Sequence, residues 1–335
     1  MPEIVPRITV IGTGRMGYYH CRMLARLGYL DSVVDINAET ARKIGSQFER
    51  PWFKSIPDLA QARSPNGLVI AVPTHLHSMI AREAMENVPD FKAMLIEKPI
   101  SSSIEEALEL KEFFEKRPVK VIVGHVEVYN PVVMRIQEIL NQGVIGTMRS
   151  ILFQRRGTVA EARIESIGDV YEDIGVHDFD VASRFLPKGK MQLFSAAVQL
   201  EGVDNSSTIV LSHESEELIV TFLLSREHAG KVRKIEIEGT KATLSANLLT
   251  QVLELRSLEI ARGETESSAI RIPFSNGEQV KVYGEPLLLE IWNLIDCVRA
   301  KTSPLVTLDD GINALKLVEA ARTSIRTRQL VQVQI

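Results

Sequence analysis

RITVIGTGRMGYYHCRMLARLG, residues 7 to 28, is the stretch on which the fold turns. Residues 7 to 12 read as a short β-branched strand. Gly12, Gly14 and Gly17 follow at G-x-G-x-x-G spacing. Met16, Met23, Leu24 and Leu27 then recur at helical intervals, and Gly28 is a C-terminal stop. The glycine spacing alone is a weak signal, and the strand before it and the helix after it give it meaning. Gly12 permits the tight turn, Gly14 lets backbone approach a pyrophosphate, and Gly17 lets helix pack close to strand. The helix start supplies free N–H groups and a positive partial charge to an anion.

Outward from the turn comes a second strand, SVVDI, ending in Asp35, 21 residues after Gly14. A carboxylate there accepts hydrogen bonds from the adenosine ribose hydroxyls and repels a 2′-phosphate, so NAD is favoured over NADP. Thr13, Arg15 and Met16 fill the turn and join Gly12, Gly14, Gly17 and Asp35 as candidate cofactor contacts. Asn37 caps the next helix, with Glu39 in its first turn.

The alternation continues with GLVIAVP, HSMIAREAME, AMLIEKP, SIEEALELKEFFEK and VKVIVGH. Continuous apolar runs are the mark of strands buried on both faces. Ser103 and Glu106 form a capping box. Strands alternating with helices over this length predict a parallel, doubly wound sheet. After about residue 124 the pattern changes. Residues 131 to 142 read as a helix, and TMRSILFQRRG as a strand. From about 190 to 283 strands follow one another with short polar turns, and two helices close the chain. The expected fold class is α/β: a Rossmann domain at 1–123, then an α+β domain at 124–335 with a large, mostly antiparallel open sheet. The final helices are candidates to pack back on the first domain.

With 335 residues the chain is long enough for two full cores. A net charge of −4 provides no basic field for a polyanion, so nucleic acid is not an expected partner. Cys21 and Cys297 are the only cysteines, too few for a disulfide framework or a thiolate metal site. The N-terminus lacks a basic region followed by an apolar run, and no stretch reaches about 18 uninterrupted apolar residues. The expectation is a reduced, cytoplasmic protein with no membrane span.

The chemistry-bearing residues cluster at the expected strand ends. In AVPTHLHS, Pro73 breaks a strand, and Pro73, Thr74 and His77 are placed to line the cofactor. His75 and His77 have no third ligand nearby, so no metal is expected. Glu97-Lys98-Pro99 ends the next strand. Ligands of open α/β sheets bind outside the carboxyl ends of the strands, so Lys98 projects toward the crevice, and Glu97 and Lys98 join the candidate cofactor contacts. Residues 171 to 180, YEDIGVHDFD, put Asp173, His177, Asp178 and Asp180 within ten positions. In a helix Asp173 and His177 share a face, and a carboxylate beside an imidazole fixes its tautomer and raises its basicity. A plainer reading makes this an amphipathic helix with solvated acids.

GTGRMG, VVDIN, AVPTHLH, IEKP, GVIG, DIGVHDFD and the closing segment from Glu285 to Ser324 together resemble the Gfo/Idh/MocA oxidoreductase family, over essentially the whole chain. The resemblance implies NAD(P)-dependent transfer of a hydride between a sugar-like hydroxyl and nicotinamide. It matches Lys98 to the family's lysine, and Asp173 and His177 to its acid and histidine. Oxidising a secondary alcohol needs a base for the proton, which His177 or Lys98 can supply, and a group to stabilise the developing negative charge.

GHVEVYNP, residues 124 to 131, resembles the branch that oxidises the 3-hydroxyl of UDP-N-acetylhexosamines or their uronates. Many family members carry an arginine before the aromatic residue, where this chain has Val128 before Tyr129. His125, Glu127, Tyr129 and Asn130 are candidate sugar contacts. Arg155 and Arg156 are candidates to pair with a diphosphate or carboxylate, or else form part of an edge strand. The first expectation is a UDP-N-acetylglucosamine 3-dehydrogenase. The alternative is an inositol or free-sugar dehydrogenase, and the third is a non-catalytic NAD-binding regulator, expected to lack Lys98 or His177. The resemblance also implies a homodimer or homotetramer through the C-terminal sheet.

Overall fold

The computed structural model describes residues 4–159, 168–200, 202–213, 216–258 and 279–335. Part of the strand-rich segment expected from the sequence, 259–278, lies outside them. The chain divides into two compact units, residues 1–126 with 285–315, and residues 127–284 with 316–335.

The first unit is built on six parallel strands: β1 (Ile8–Ile11), β2 (Leu30–Val34), β3 (Trp52–Phe53), β4 (Gly67–Ile70), β5 (Ala93–Glu97) and β6 (Lys120–Gly124). Their order is β3-β2-β1-β4-β5-β6, the doubly wound arrangement whose strand order reverses between β1 and β4. Every residue of β1, β4 and β5 is buried, as their uninterrupted apolar sequences require. Helices α1 (Arg15–Leu27), α2 (Ala38–Gln47), α3 (Ile56–Ala62), α4 (His77–Asn87) and α5 (Ile104–Glu115) link the strands. Asn37 and Ser103 cap α2 and α5 as their sequences indicate. The late helix α8 (Pro286–Val298) packs on α1 and on β4, β5 and β6, and Ile291, Leu294, Ile295 and Val298 enter the same core as Val10, Leu24 and Leu95.

The second unit holds α6 (Pro131–Asn141), α7 (Val176–Phe185) and a nine-stranded sheet. Its strands are β7 (Met148–Thr158), β8 (Lys190–Leu200), β9 (Val203–His213), β10 (Ile219–Ser225), β11 (Glu227–Gly239), β12 (Ala242–Asn247), β13 (Val252–Ser257), β14 (Gln279–Lys281) and β15 (Val331–Gln334). The order is β14-β13-β12-β11-β7-β10-β9-β8-β15.

Two features depart from the sequence reading. β7 is the central strand and not an edge, paired parallel to β10 and antiparallel to β11. And the chain does not end in a helix: after α9 (Leu308–Thr327), the alternating VQVQ of β15 pairs with β8. Along β8, Leu193 and Ser195 face inward while Phe194 and Val198 are exposed, the period-two alternation of a sheet with one open face.

Candidate active site

The glycine turn sits at the carboxyl end of β1. Gly12 has φ 88°, and a side chain there would strike the Ala71 backbone at 2.7 Å. A Cβ on Gly17 would lie 1.9 Å from the Gly12 carbonyl oxygen, so glycine is what allows α1 to start this close to β1. Gly14 differs: a Cβ there would meet nothing within 4 Å. It is exposed, and it begins α1 with no side-chain cap, so the first-turn N–H groups are left for a ligand. That cradle fits a pyrophosphate. Thr13 is buried, and Arg15 and Met16 are exposed beside it.

Asp35 follows β2 directly. Its Oδ2 accepts from the Thr13 backbone N–H and hydroxyl, both at 2.7 Å, and its Oδ1 accepts from the Asn37 N–H at 2.9 Å. The carboxylate is thereby fixed beside the glycine turn and remains half-exposed. This geometry fits the two ribose hydroxyls of an adenosine.

At the end of β4, Pro73 is exposed and Thr74 half-buried. His77 turns inward: its Nδ1 lies 2.8 Å from the Pro99 carbonyl and its Nε2 2.9 Å from the Val72 carbonyl. Burial pushes this imidazole below its usual range, so the ring is neutral and donates through one nitrogen at a time. His77 thus ties the β4 loop to the Lys98-Pro99 loop and is not presented as a ligand. At the end of β5, Glu97 is buried and Lys98 half-buried, with the Lys98 N–H donating to Glu97 Oε2 at 3.2 Å. His125, just past β6, is buried in the first unit.

In the second unit the acid-rich segment is not one continuous α-helix. Tyr171–Gly175 form a π-helical turn, and α7 begins only at Val176. Such turns are rare and cluster at functional sites. Asp173 stands in the π turn and His177 in the first turn of α7, both half-buried. Asp173 Oδ2 lies 3.6 Å from Nη1 of Arg226. Arg226 is itself buried and anchored on Asn205, Gly168 and Asp204. Asp180 is fully buried midway along α7.

The two arginines expected to act as a pair are split. Consecutive strand residues point to opposite faces, so Arg155 goes inward and Arg156 outward. Arg155 is buried, with Nε 2.9 Å and Nη2 2.8 Å from Asp178 Oδ1 and Nη1 2.8 Å from Glu127. Burial opposes the Arg155 charge, but Asp178 and Glu127 outweigh it and hold the guanidinium above its usual range. Burial raises Asp178, while for Glu127 the pull of Arg155 outweighs burial and lowers it. Arg156 donates to Gln154. Asn130 caps α6 and donates to the Leu248 carbonyl, and Tyr129 is buried. Arg155 and Asn130 therefore bond within the second unit and Tyr129 is packed there, where the sequence offered Tyr129 and Asn130 as candidate sugar contacts and Arg155 as either an anion contact or part of an edge strand.

Three residues of interest escaped the sequence reading. Arg226 is one. Arg233 on β11, directly across from Arg155, is another; it shares the inward face with Ile235 and Ile237, and a charged residue at an apolar register position was the available signal. Glu290 is the third, a charge inside the apolar stripe of α8.

Two family descriptions match the chain: an oxidoreductase family with an NAD-binding Rossmann fold over residues 6–125, and its C-terminal alpha/beta domain over 137–334. The inositol 2-dehydrogenase of Rhizobium meliloti (strain 1021) is 24% identical over 341 residues, covering 98% of this chain and 99% of its own. The solved UDP-N-acetylglucosamine 3-dehydrogenase GnnA from Acidithiobacillus ferrooxidans shares the fold with TM-score 0.82 and 21% identity, covering 97% of this chain and 99% of its own. The WlbA dehydrogenase from Bordetella pertussis, solved with NADH and UDP-GlcNAcA, shares it with TM-score 0.79 and 17% identity over 99% of both chains. Among the described residues no helix is long and apolar enough to cross a membrane. The chain belongs to the Gfo/Idh/MocA family, NAD-binding oxidoreductases that act on the CH–OH groups of sugars and polyols.

Proposed function

We propose that this enzyme uses NAD rather than NADP to oxidise a secondary hydroxyl of a UDP-N-acetylhexosamine, at its 3-position. Asp35 supports the choice of NAD, since its fixed carboxylate would repel a 2′-phosphate. NAD, when bound, is the hydride acceptor. Lys98 hydrogen-bonds the substrate oxygen and stabilises its developing negative charge. His177 takes the hydroxyl proton, with Asp173 supporting the imidazole and Arg226 holding Asp173 in place.

One observation carries the substrate class. Arg233 Nη1 donates to the Arg156 and Val232 carbonyls, while its Nε and Nη2 meet no protein acceptor among the described residues. Burial, then the neighbouring Arg155 charge, pull its pKa down to about 10, so it stays cationic at neutral pH. β11 carries a bulge between Glu227 and Val232, beside Arg233, and bulges often re-aim side chains next to active sites. A half-buried guanidinium with an open edge, in the fields of Asp178 and Glu127 and then Asp173, suits a phosphoryl or carboxylate group on the substrate. The full-length likeness to an inositol dehydrogenase favours the second reading, oxidation of inositol or a free sugar.

The test is NAD reduction by purified protein across UDP-GlcNAc, its uronate, myo-inositol and free hexoses, with a ketone trap because the oxidation is uphill. Turnover confined to UDP-sugars supports the first reading. Turnover on inositol or hexoses overturns it in favour of the second. NAD binding without turnover on any of them would point to a regulator. We further propose a cytoplasmic homodimer or homotetramer paired through the open sheet face that exposes Phe194, Val198, Val210 and Ile219. A monomeric mass by light scattering would refute it.

A further inference from the structure

Beneath the Lys98 strand end lies a cluster that the proposed chemistry does not use. His20 on α1 is fully buried, and its Nε2 stands 2.6 Å from Glu97 Oε1. Glu97 Oε2 accepts the Lys98 backbone N–H, and the bare Gly124 on β6 makes room for this carboxylate, since a Cβ there would lie 3.2 Å from it. Glu290 enters from α8, fully buried, and its two carboxyl oxygens and His20 Nδ1 meet no hydrogen-bond partner among the described residues. One atom from each of the three side chains lies within 4.8 Å of the others.

Two adjacent carboxylates in an apolar core cannot both stay ionised without a compensating cation. Around Glu290, α1 contributes His20 and the thiol of Cys21, β5 contributes Glu97, and β4 contributes nothing titratable. β6 carries only Lys120, at its far end and half-buried, and α8 itself carries Asp296 and Cys297. Burial first, then the charge of Glu97, push the Glu290 carboxyl well above the usual carboxylate range.

We propose that His20, Glu97 and Glu290 form a buried triad, with Glu290 the neutral acid beside the His20–Glu97 hydrogen bond, that positions Lys98. The triad brings three elements to one point: the helix that begins at the glycine turn, the strand that ends at Lys98, and α8. Glu97 transmits the tie by holding the Lys98 main chain. Ionising Glu290 sets like charge against Glu97 and loosens that hold. This inference rests on the reading that Lys98 serves the substrate oxygen.

The sign for stability follows from proton counting. A carboxyl whose folded pKa is raised binds more protons folded than unfolded above the ordinary glutamate range, so its contribution falls as pH rises from there toward the folded pKa. Thermal melts and steady-state kinetics of wild type, Glu290→Gln, Glu290→Ala and Glu97→Gln, from about pH 5 to about pH 9 with and without EDTA, test this. Wild type should lose stability with rising pH, and Glu290→Gln, isosteric and neutral, should remove that loss. Glu290→Ala and Glu97→Gln should lower kcat by about tenfold to a hundredfold with KM for NAD held, and Glu290→Gln should restore kcat. A Glu290→Gln protein as damaged as Glu290→Ala at every pH would overturn the triad. So would an EDTA-sensitive wild-type melt that Glu290→Gln abolishes, which would make the cluster a divalent-cation site. Absence of turnover in wild type would sink the dehydrogenase reading instead, while the melts still decide the protonation of Glu290.

Discussion

At the scale of single residues, the two assignments with most chemical content separate binding from turnover. Asp35 is engaged by Thr13 and Asn37 before any ligand arrives, so its carboxylate is pre-placed. Replacing it with alanine removes two acceptor oxygens from the ribose and the repulsion of a 2′-phosphate. Asp35→Ala should weaken NAD by about tenfold to a hundredfold, the scale of one or two hydrogen bonds to a charged group, and narrow the NAD/NADP gap. Titration of both cofactors checks this, and an unchanged preference would show that Asp35 does not read the ribose. Lys98 acts at the other step. Lys98→Ala should leave NAD affinity nearly intact while lowering kcat at least about a hundredfold, the scale of a lost acid–base or oxyanion group. Wild-type turnover in that variant would remove Lys98 from the chemistry.

At the scale of elements, close approach decides what can change. Gly17→Ala brings a Cβ to 1.9 Å from the Gly12 carbonyl, so α1 must retreat from β1. Overpacking of this kind costs about 1–3 kcal/mol and displaces the first-turn N–H groups. The variant should melt lower and bind NAD more weakly, measurable by calorimetry and titration; Gly14→Ala, with open space at its Cβ, should melt like wild type. This region was legible in the sequence because local chemistry sets it: glycine spacing, a strand-ending acid and caps are all short-range. The second unit was less so. Arg155 and Arg156 look alike in one dimension, and only the central place of β7 sends one inward to Asp178 and Glu127. The change from π turn to α-helix at Val176 was not legible because a π turn has the same side-chain pattern as an α turn over so few residues. Glu290 was passed over because one acid on an amphipathic helix reads as solvated until the packing partner is known.

At the scale of the whole molecule, sequence order and compact unit do not coincide. The first unit is closed by residues 285–315, which return to it after the entire second sheet has been made. Ile291, Leu294, Ile295 and Val298 of α8 are fully buried in the Rossmann core. Full burial of a large aliphatic side chain is worth about 1.5–3 kcal/mol, so four of them amount to roughly 6–12 kcal/mol. That equals the whole net stability of a typical domain, about 5–15 kcal/mol. Residues 1–126 expressed alone carry every nucleotide-binding motif and all six parallel strands, yet leave the α8 face of the core exposed. The fragment should therefore lack a cooperative thermal transition, bind a hydrophobic dye and fail to hold NAD. Joining residues 285–315 to it through a flexible linker should restore a cooperative melt. If instead 1–126 melts cooperatively by itself, α8 adds little, and the glycine turn and its sheet form a self-sufficient nucleotide-binding domain.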